Sequence, residues 1–110
     1  MRQSHTLVLE RNVDWLQEFA TEPCEVAWAS EAIFFIRALA VEGMPAATAA
    51  RIQLSPDGIH WCDEGTSIWL PVEPGLSFHR VSQFGGWLRL AGQLPAGARI
   101  KVIVYLVLKE

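Results

Sequence analysis

Two four-residue segments, Ser55-Pro56-Asp57-Gly58 and Leu94-Pro95-Ala96-Gly97, constrain this chain more than anything else in it. Each carries Pro at the second and Gly at the fourth position of a type I turn, and each lies between apolar runs that alternate with period two. Pro56 holds φ near about −65°, which excludes the left-handed first position of a type I′ turn and leaves a type I turn with Gly58 left-handed at a bulge. That register pairs Leu54 with Ile59 and Ile52 with Trp61 on one face, and Gln53 with His60 and Arg51 with Cys62 on the other. A slip of one residue would scatter the apolar set. The second segment, taken the same way, pairs Leu94 with Ala98, Leu90 with Val102 and Leu88 with Val104, an aliphatic face that has to be core. Its reverse face pairs Gln93 with Arg99, Ala91 with Lys101, Arg89 with Ile103 and Trp87 with Tyr105.

Turn signals recur every ~8–12 residues along the rest of the chain, the spacing of a β-sandwich or barrel. The expected strands are His5–Glu10, Cys24–Ala29, Ala32–Ala40, Ala49–Leu54, Ile59–Asp63, Ser67–Val72, Leu76–Ser82, Gly86–Leu94 and Ala98–Lys109. Residues 13–20 fit a short helix capped by Asn12, with Leu16, Phe19 and Ala20 on one face. They also fit a strand with Val13, Trp15 and Phe19 on one face, which the surrounding β pattern favours. There is no linker, repeat or low-complexity tract. At 110 residues the chain has the size of one domain, 1–110, expected to be an all-β antiparallel sandwich of jelly-roll type.

Hydrophobic residues make up 51% of the chain and charged residues 19%, so there is little charged side chain to cover a monomer. The net charge of −3 and the lack of a basic block argue against nucleic acid and anionic membranes as partners. Met1-Arg2-Gln3-Ser4-His5 has neither the basic start nor the apolar core of a signal peptide. The most apolar stretch, Val26 to Val41, is short for a membrane helix and contains Glu31 and Arg37. The expected location is therefore cytoplasmic, or within a particle assembled there. Cys24 and Cys62 fit no zinc spacing and are expected as buried free thiols rather than a disulfide.

Chemistry-bearing motifs are sparse. His5, His60 and His79 have no ligand-like spacing, no serine sits in an elbow motif, and Gly85-Gly86 is not a phosphate loop. Asp63-Glu64-Gly65 could hold a cation but fits a solvated turn better, and Asp14 with Glu18 suits a wet surface. The expectation is a protein without catalytic residues, metal or cofactor.

Ser55 to Trp61 approaches the S-x-D-x-G-x-x-W box of β-propeller sialidases but is one residue short and occurs once. The same residues, followed later by Trp87-Leu88-Arg89-Leu90, resemble the S-x-D-G-x-x-W hairpin and the aromatic-hydrophobic-Arg-hydrophobic strand of galactose-binding-like (discoidin-type) jelly rolls. The likeness covers roughly residues 49 to 109 and extends to β-sandwich decoration and tail proteins of tailed phages. It implies a sandwich, with sugar binding as one function and particle assembly as another. The chain has no counterpart of the terminal cysteine pair of the discoidin type.

One apolar set remains to be explained. Trp87, Ile103, Tyr105 and Val107 cluster on the reverse face of the second hairpin, with Arg89 beside them. Ala32–Val41 is apolar on both sides, Phe34 and Ile36 on one and Ile33, Phe35 and Leu39 on the other. A two-layer sandwich leaves one face of each sheet wet. The cover for such a face is a neighbouring copy or other protein partner, the N-terminal segment, or a small ligand. Trp87, Arg89, Ile103, Tyr105, Val107 and Phe35 are the expected interface residues of a homo-oligomeric assembly module, with carbohydrate binding as the alternative.

Overall fold

The computed structural model describes residues 3–110. Met1 and Arg2, part of the N-terminal stretch weighed above, lie outside them. The strands are β1 (Ser4–Leu16), β2 (Glu18–Ala20), β3 (Cys24–Glu25), β4 (Glu31–Glu42), β5 (Ala49–Ser55), β6 (Cys62–Trp69), β7 (Gly75–Ser82), β8 (Trp87–Gln93) and β9 (Arg99–Lys109). They form two antiparallel sheets packed together, an all-β sandwich. Sheet A has the order β1-β9-β4-β7 and sheet B the order β2-β8-β5-β6, with β3 also on β8. Ala20 lies opposite Ala91 and Cys24 opposite Leu88, so β2 and β3 are one edge interrupted at residues 21–23. Thr21 bridges the gap. Its N–H donates to the Leu90 carbonyl at 2.8 Å and its Oγ1 accepts from the Leu90 N–H at 3.0 Å, which keeps a buried polar residue satisfied.

The period-two pattern builds the core. Ile100, Val102, Val104, Leu106 and Leu108 of β9 are all buried, as are Phe34 and Ile36 of β4. They meet Ile52 of β5 and Leu88 and Leu90 of β8 from the other sheet, in one continuous apolar cluster. Alternate residues of the same strands point away from it on both sides.

The second expected hairpin is corrected. Strands β8 and β9 belong to different sheets, so Leu94–Gly97 is an arch between layers. Its turn is local and real: the Ala98 N–H donates to the Pro95 carbonyl at 3.1 Å and Gly97 has φ +85°. Beyond the turn, Leu88 and Leu90 zip to Leu54 and Ile52 of β5, while Val102 and Val104 zip to Ala38 and Ile36 of β4. The four aliphatic residues are core, but they face one another across the sandwich instead of side by side. A Pro-x-Gly turn dictates a reversal; it does not dictate which ladder each arm joins.

The first hairpin is real, and stays within sheet B, but its register differs from the expected one. Gln53 pairs with Asp63 and Leu54 with Cys62, so neither Ile59 nor Trp61 enters the ladder. Ile59 is 74% exposed. Residues 56–61 form a wider loop held by side-chain acceptors. Ser55 Oγ accepts the N–H groups of Asp57 and Gly58 at 3.2 and 2.8 Å, and Asp57 Oδ1 accepts those of Ile59 and His60 at 2.8 and 2.9 Å. Those donors are satisfied inside the loop, and so have no need of a strand partner. Gly58 has the positive φ expected of it, +80°. Further along β6, a bulge around Gly65 (φ +109°) joins two segments that the sequence pattern separates.

Residues 13–20 are strand. Asn12 at φ +55° marks a break in the β1 register instead of capping a helix, and Gln17 at φ +53° turns the chain from sheet A into sheet B. Trp15 and Phe19 stack there at 4.0 Å, both buried. Gly92 lies beneath Phe19, where a Cβ would come within 2.7 Å of the ring. Of Cys24–Ala29, only Cys24 and Glu25 pair, because the chain turns at Val26 to Ala29. Cys24 and Cys62 are free thiols at opposite edges of sheet B. Cys24 is half-buried and Cys62 exposed, so the burial expected of both is not found; each sits at the start of an edge strand rather than inside a layer. Among the described residues no helix is long and apolar enough to cross a membrane.

Candidate functional site

The arch at Leu94–Gly97 decides where the expected interface residues go. Trp87 and Arg89 stand on the outer face of sheet B, while Ile103, Tyr105, Val107 and Phe35 stand on the outer face of sheet A. The pairing of Trp87 with Tyr105 and of Arg89 with Ile103 is therefore corrected: the core separates them, and one expected site becomes two surfaces.

On sheet A the outward residues fall into rows across the four strands. The central row is Val8–Tyr105–Phe35–Phe78, one residue from each of β1, β9, β4 and β7. Beside it lie Thr6–Val107–Ile33–Arg80 and, across three strands, Ile103–Arg37–Leu76. The Phe35 and Phe78 rings are 5.9 Å apart, and the Arg80 guanidinium lies 5.0 Å from the Phe78 ring centre. Leu76 is 65% exposed and Phe78 51%. The N-terminal segment does not fold over this surface: from Ser4 onward it is the edge strand β1, adding Thr6 and Val8 to the face. Phe35 and Tyr105 were legible as site residues. Val8, Leu76 and Phe78 were not, although Leu76, Phe78 and Arg80 alternate with period two.

On sheet B a group of outward polar residues is bonded together, beside Trp87 and the exposed Trp69. Arg89 Nε donates to Gln53 Oε1 at 2.8 Å, Gln53 Nε2 donates to Asp63 Oδ1 at 3.0 Å, and Arg51 Nη1 donates to Asp63 Oδ2 at 3.3 Å. The Arg89 guanidinium lies 4.2 Å from the centre of the Trp61 ring. Partial burial lowers the proton affinity of Arg89, and the neighbouring Arg51 charge lowers it further. Asp63 is held below the usual carboxylate range, first by the Gln53 hydrogen bond and then by Arg51. Arg51 and Gln53 were placed together on one face of the first hairpin by sequence alone. Trp61 and Asp63 were missed as their companions, because the expected register put Trp61 in the core.

Ser55, Asp57 and His60 come together but not as a nucleophile and its base. Ser55 Oγ, itself buried, donates to Asp57 Oδ1 at 3.0 Å, and the His60 ring contacts Asp57 Oδ2 at 2.8 Å. No bond joins serine to imidazole, so the three clamp the loop. The two backbone and one side-chain contacts to His60 and Ile59 hold the Asp57 carboxyl far below its usual range. His5 packs edge-on against Trp28 at 5.2 Å. Among the described residues no three His, Cys, Asp or Glu side chains are placed to hold a metal ion.

No protein-family model matches this sequence, and no curated protein is detectably similar to it.

Proposed function

We propose that this protein is a non-enzymatic structural or assembly module whose copies associate through the outer face of sheet A. The observation that carries the reading is the central row Val8–Tyr105–Phe35–Phe78, apolar across all four strands, with Val107, Ile33, Ile103 and Leu76 around it. Left in water, the patch presents on the order of 500 Å² of apolar surface, at the upper end for a monomer. Two copies face to face bury on the order of 1,000 Å², the lower bound for a specific interface. The occupant is a second copy, because a sheet face packed on its own two-fold mate matches apolar rows with apolar rows and closes the assembly. The low charged fraction of the chain suits a protein with less free surface than a monomer. The strand order, with β2 and β3 counted as one edge, supports jelly-roll connectivity, a common scaffold for shells and tails. A cytoplasmic or particle-assembled location accords with this role.

Light scattering on the purified chain is the test. The wild type should have the mass of a dimer or larger closed oligomer, and Phe78→Glu should have the mass of a monomer with an unchanged β spectrum. Phe78 is half exposed in the subunit, so a charge there disturbs the contact and not the core. A wild-type chain that remains monomeric up to its solubility limit overturns the proposal.

A further inference from the structure

An edge strand keeps a row of unpaired N–H and C=O groups, and proteins ordinarily interrupt such strands to stop them pairing further. Of the four sheet edges among the described residues, three are interrupted. Strand β1 shifts register between Val8 and Glu10 and again between Glu10 and Val13, with Asn12 at φ +55°. Strand β6 bulges around Gly65. Strands β2 and β3 are short and separated by residues 21–23, which include Pro23. Strand β7 is different. It pairs with β4 in unbroken register from Gly75 to Ser82, and among the described residues no other strand or loop backbone bonds to its far side. It contains no Pro, and Arg80 is its only Lys or Arg.

We infer that β7 pairs antiparallel with β7 of a second copy, Phe78 opposite Phe78, joining two four-stranded A sheets into one of eight strands. A two-fold axis perpendicular to the sheet keeps inward residues opposite inward ones, so it passes through a residue and not between two. Ser77 selects the residue. Its Oγ is buried and, among the described residues, has no hydrogen-bond partner, an uncommon state for a buried hydroxyl. Ser77 and His79 lie opposite Ile36 and Phe34 of β4, on the inner face. Centred on Phe78, the pairing sets Ser77 opposite the partner's His79, an imidazole that can donate or accept. Centred on His79, it sets Ser77 opposite the partner's Val81, which offers no polar atom. The Phe78 register also makes an aromatic cross-strand pair and carries the row Val8–Tyr105–Phe35–Phe78 unbroken into the second subunit. The partner is a second copy because the complementarity is between residues of β7 itself. Together with the face contact proposed above, on which this step alone rests, the two axes cross and close four chains into two eight-stranded sheets packed face to face.

Light scattering on single variants is the test. The wild type should have the mass of four chains. Tyr105→Glu, on a central strand of sheet A, should break the face contact alone and give two. His79→Lys should also give two, by breaking the edge contact: a lysine on the inner face of an edge strand reaches water in the lone subunit and is trapped on pairing. Phe78→Glu touches both contacts and should give one. Thermal melts check that each variant is folded, and hydrogen exchange on the wild type needs no variant. Consecutive amides of residues 76–80 should all be protected, whereas an open edge protects only the alternate ones bonded to β4. Alternate protection in β7, a folded Tyr105→Glu chain that is monomeric up to its solubility limit, or a folded His79→Lys chain of wild-type mass would each overturn the inference. A wild type and a Tyr105→Glu variant that both have the mass of two chains would overturn the face contact and leave the edge pairing standing.

Discussion

The two outer faces of this sandwich cover the same core and present different rows of side chains. Sheet A presents Val8, Tyr105, Phe35 and Phe78 in one row, while sheet B presents Asp63, Gln53 and Arg89 in the corresponding kind of row. Folding asks only that the inner faces be apolar. Either outer face could carry scattered polar residues and the sheets would still pack. The contrast between them is thus not a requirement of the fold; under the proposed function it is the apolar face of sheet A that meets a second copy.

The comparison presupposes a rigid sheet beneath each face, and the largest expected effect comes from breaking that. Leu90 is fully buried under sheet B, opposite Ile52. Leu90→Ala should cost roughly 2–5 kcal/mol in a denaturant melt, as cavity-forming substitutions in cores do. A cost below about 0.5 kcal/mol would mean that the core does not support the face.

The next effect is local to sheet B. Gly58 has φ +80°, and a Cβ there would come within 3.1 Å of the Trp87 ring. Gly58→Val should cost about 1–3 kcal/mol through backbone strain alone, since β-branched residues tolerate positive φ poorly. It should also disturb the loop that holds Trp61 over Arg89, with no change in the oligomeric mass set by sheet A. A change in that mass would mean that the two faces are coupled.

Phe78→Glu sharpens the contrast from the other side. Its cost to the isolated subunit should be small, within about 0.5 kcal/mol as for most surface changes. Its effect on association should be large. Trp69→Glu, at a more exposed position on sheet B, should leave the mass unaltered. If both substitutions dissociate the protein, the interface is not the face of sheet A.

The smallest effect is electrostatic. The Asp57 carboxyl is held far below its usual value by the His60 and Ile59 N–H groups and the His60 ring. Its contribution is therefore complete above the unfolded-state value of about 4 and is lost only as pH falls from there toward the lower folded value. Asp57→Asn should melt slightly below the wild type at neutral pH, and the gap should narrow on acidification below about pH 4. A gap that widens there would place the stabilisation elsewhere.

How much of this was legible in the sequence depended on the range of the interaction involved. Positive φ at Gly58, the turn at Leu94–Gly97, the strand character of residues 13–16 and 18–20 and the burial of Leu88, Leu90, Val102 and Val104 all follow from local pattern. The hairpin register did not, because Ser55 and Asp57 satisfy four N–H groups of the loop and so release Ile59 and Trp61 from the ladder. The candidate sites were half legible for the same reason. Tyr105, Val107, Ile103 and Phe35 do share a face, since β9 and β4 are neighbours; Trp87 and Arg89 do not join them.

On β5, β8 and β9 the sequence by itself determined which residues are inward, because a period of two admits only two faces and one of them is uniformly apolar; on β4 both faces are apolar, and on β7 Leu76 and Phe78 turn outward, so there the pattern did not decide. The sequence also determined where the chain reverses, because Pro and Gly restrict or release φ wherever they stand. Which strands lie side by side was decided only by the tertiary structure. An arch and a hairpin can share the same turn residues, and the choice between them rests on pairings such as Leu90 with Ile52 and Val104 with Ile36, made between residues far apart in the chain. That choice sent Trp87 and Tyr105 to opposite sides of the molecule and made two surfaces where local pattern suggested one.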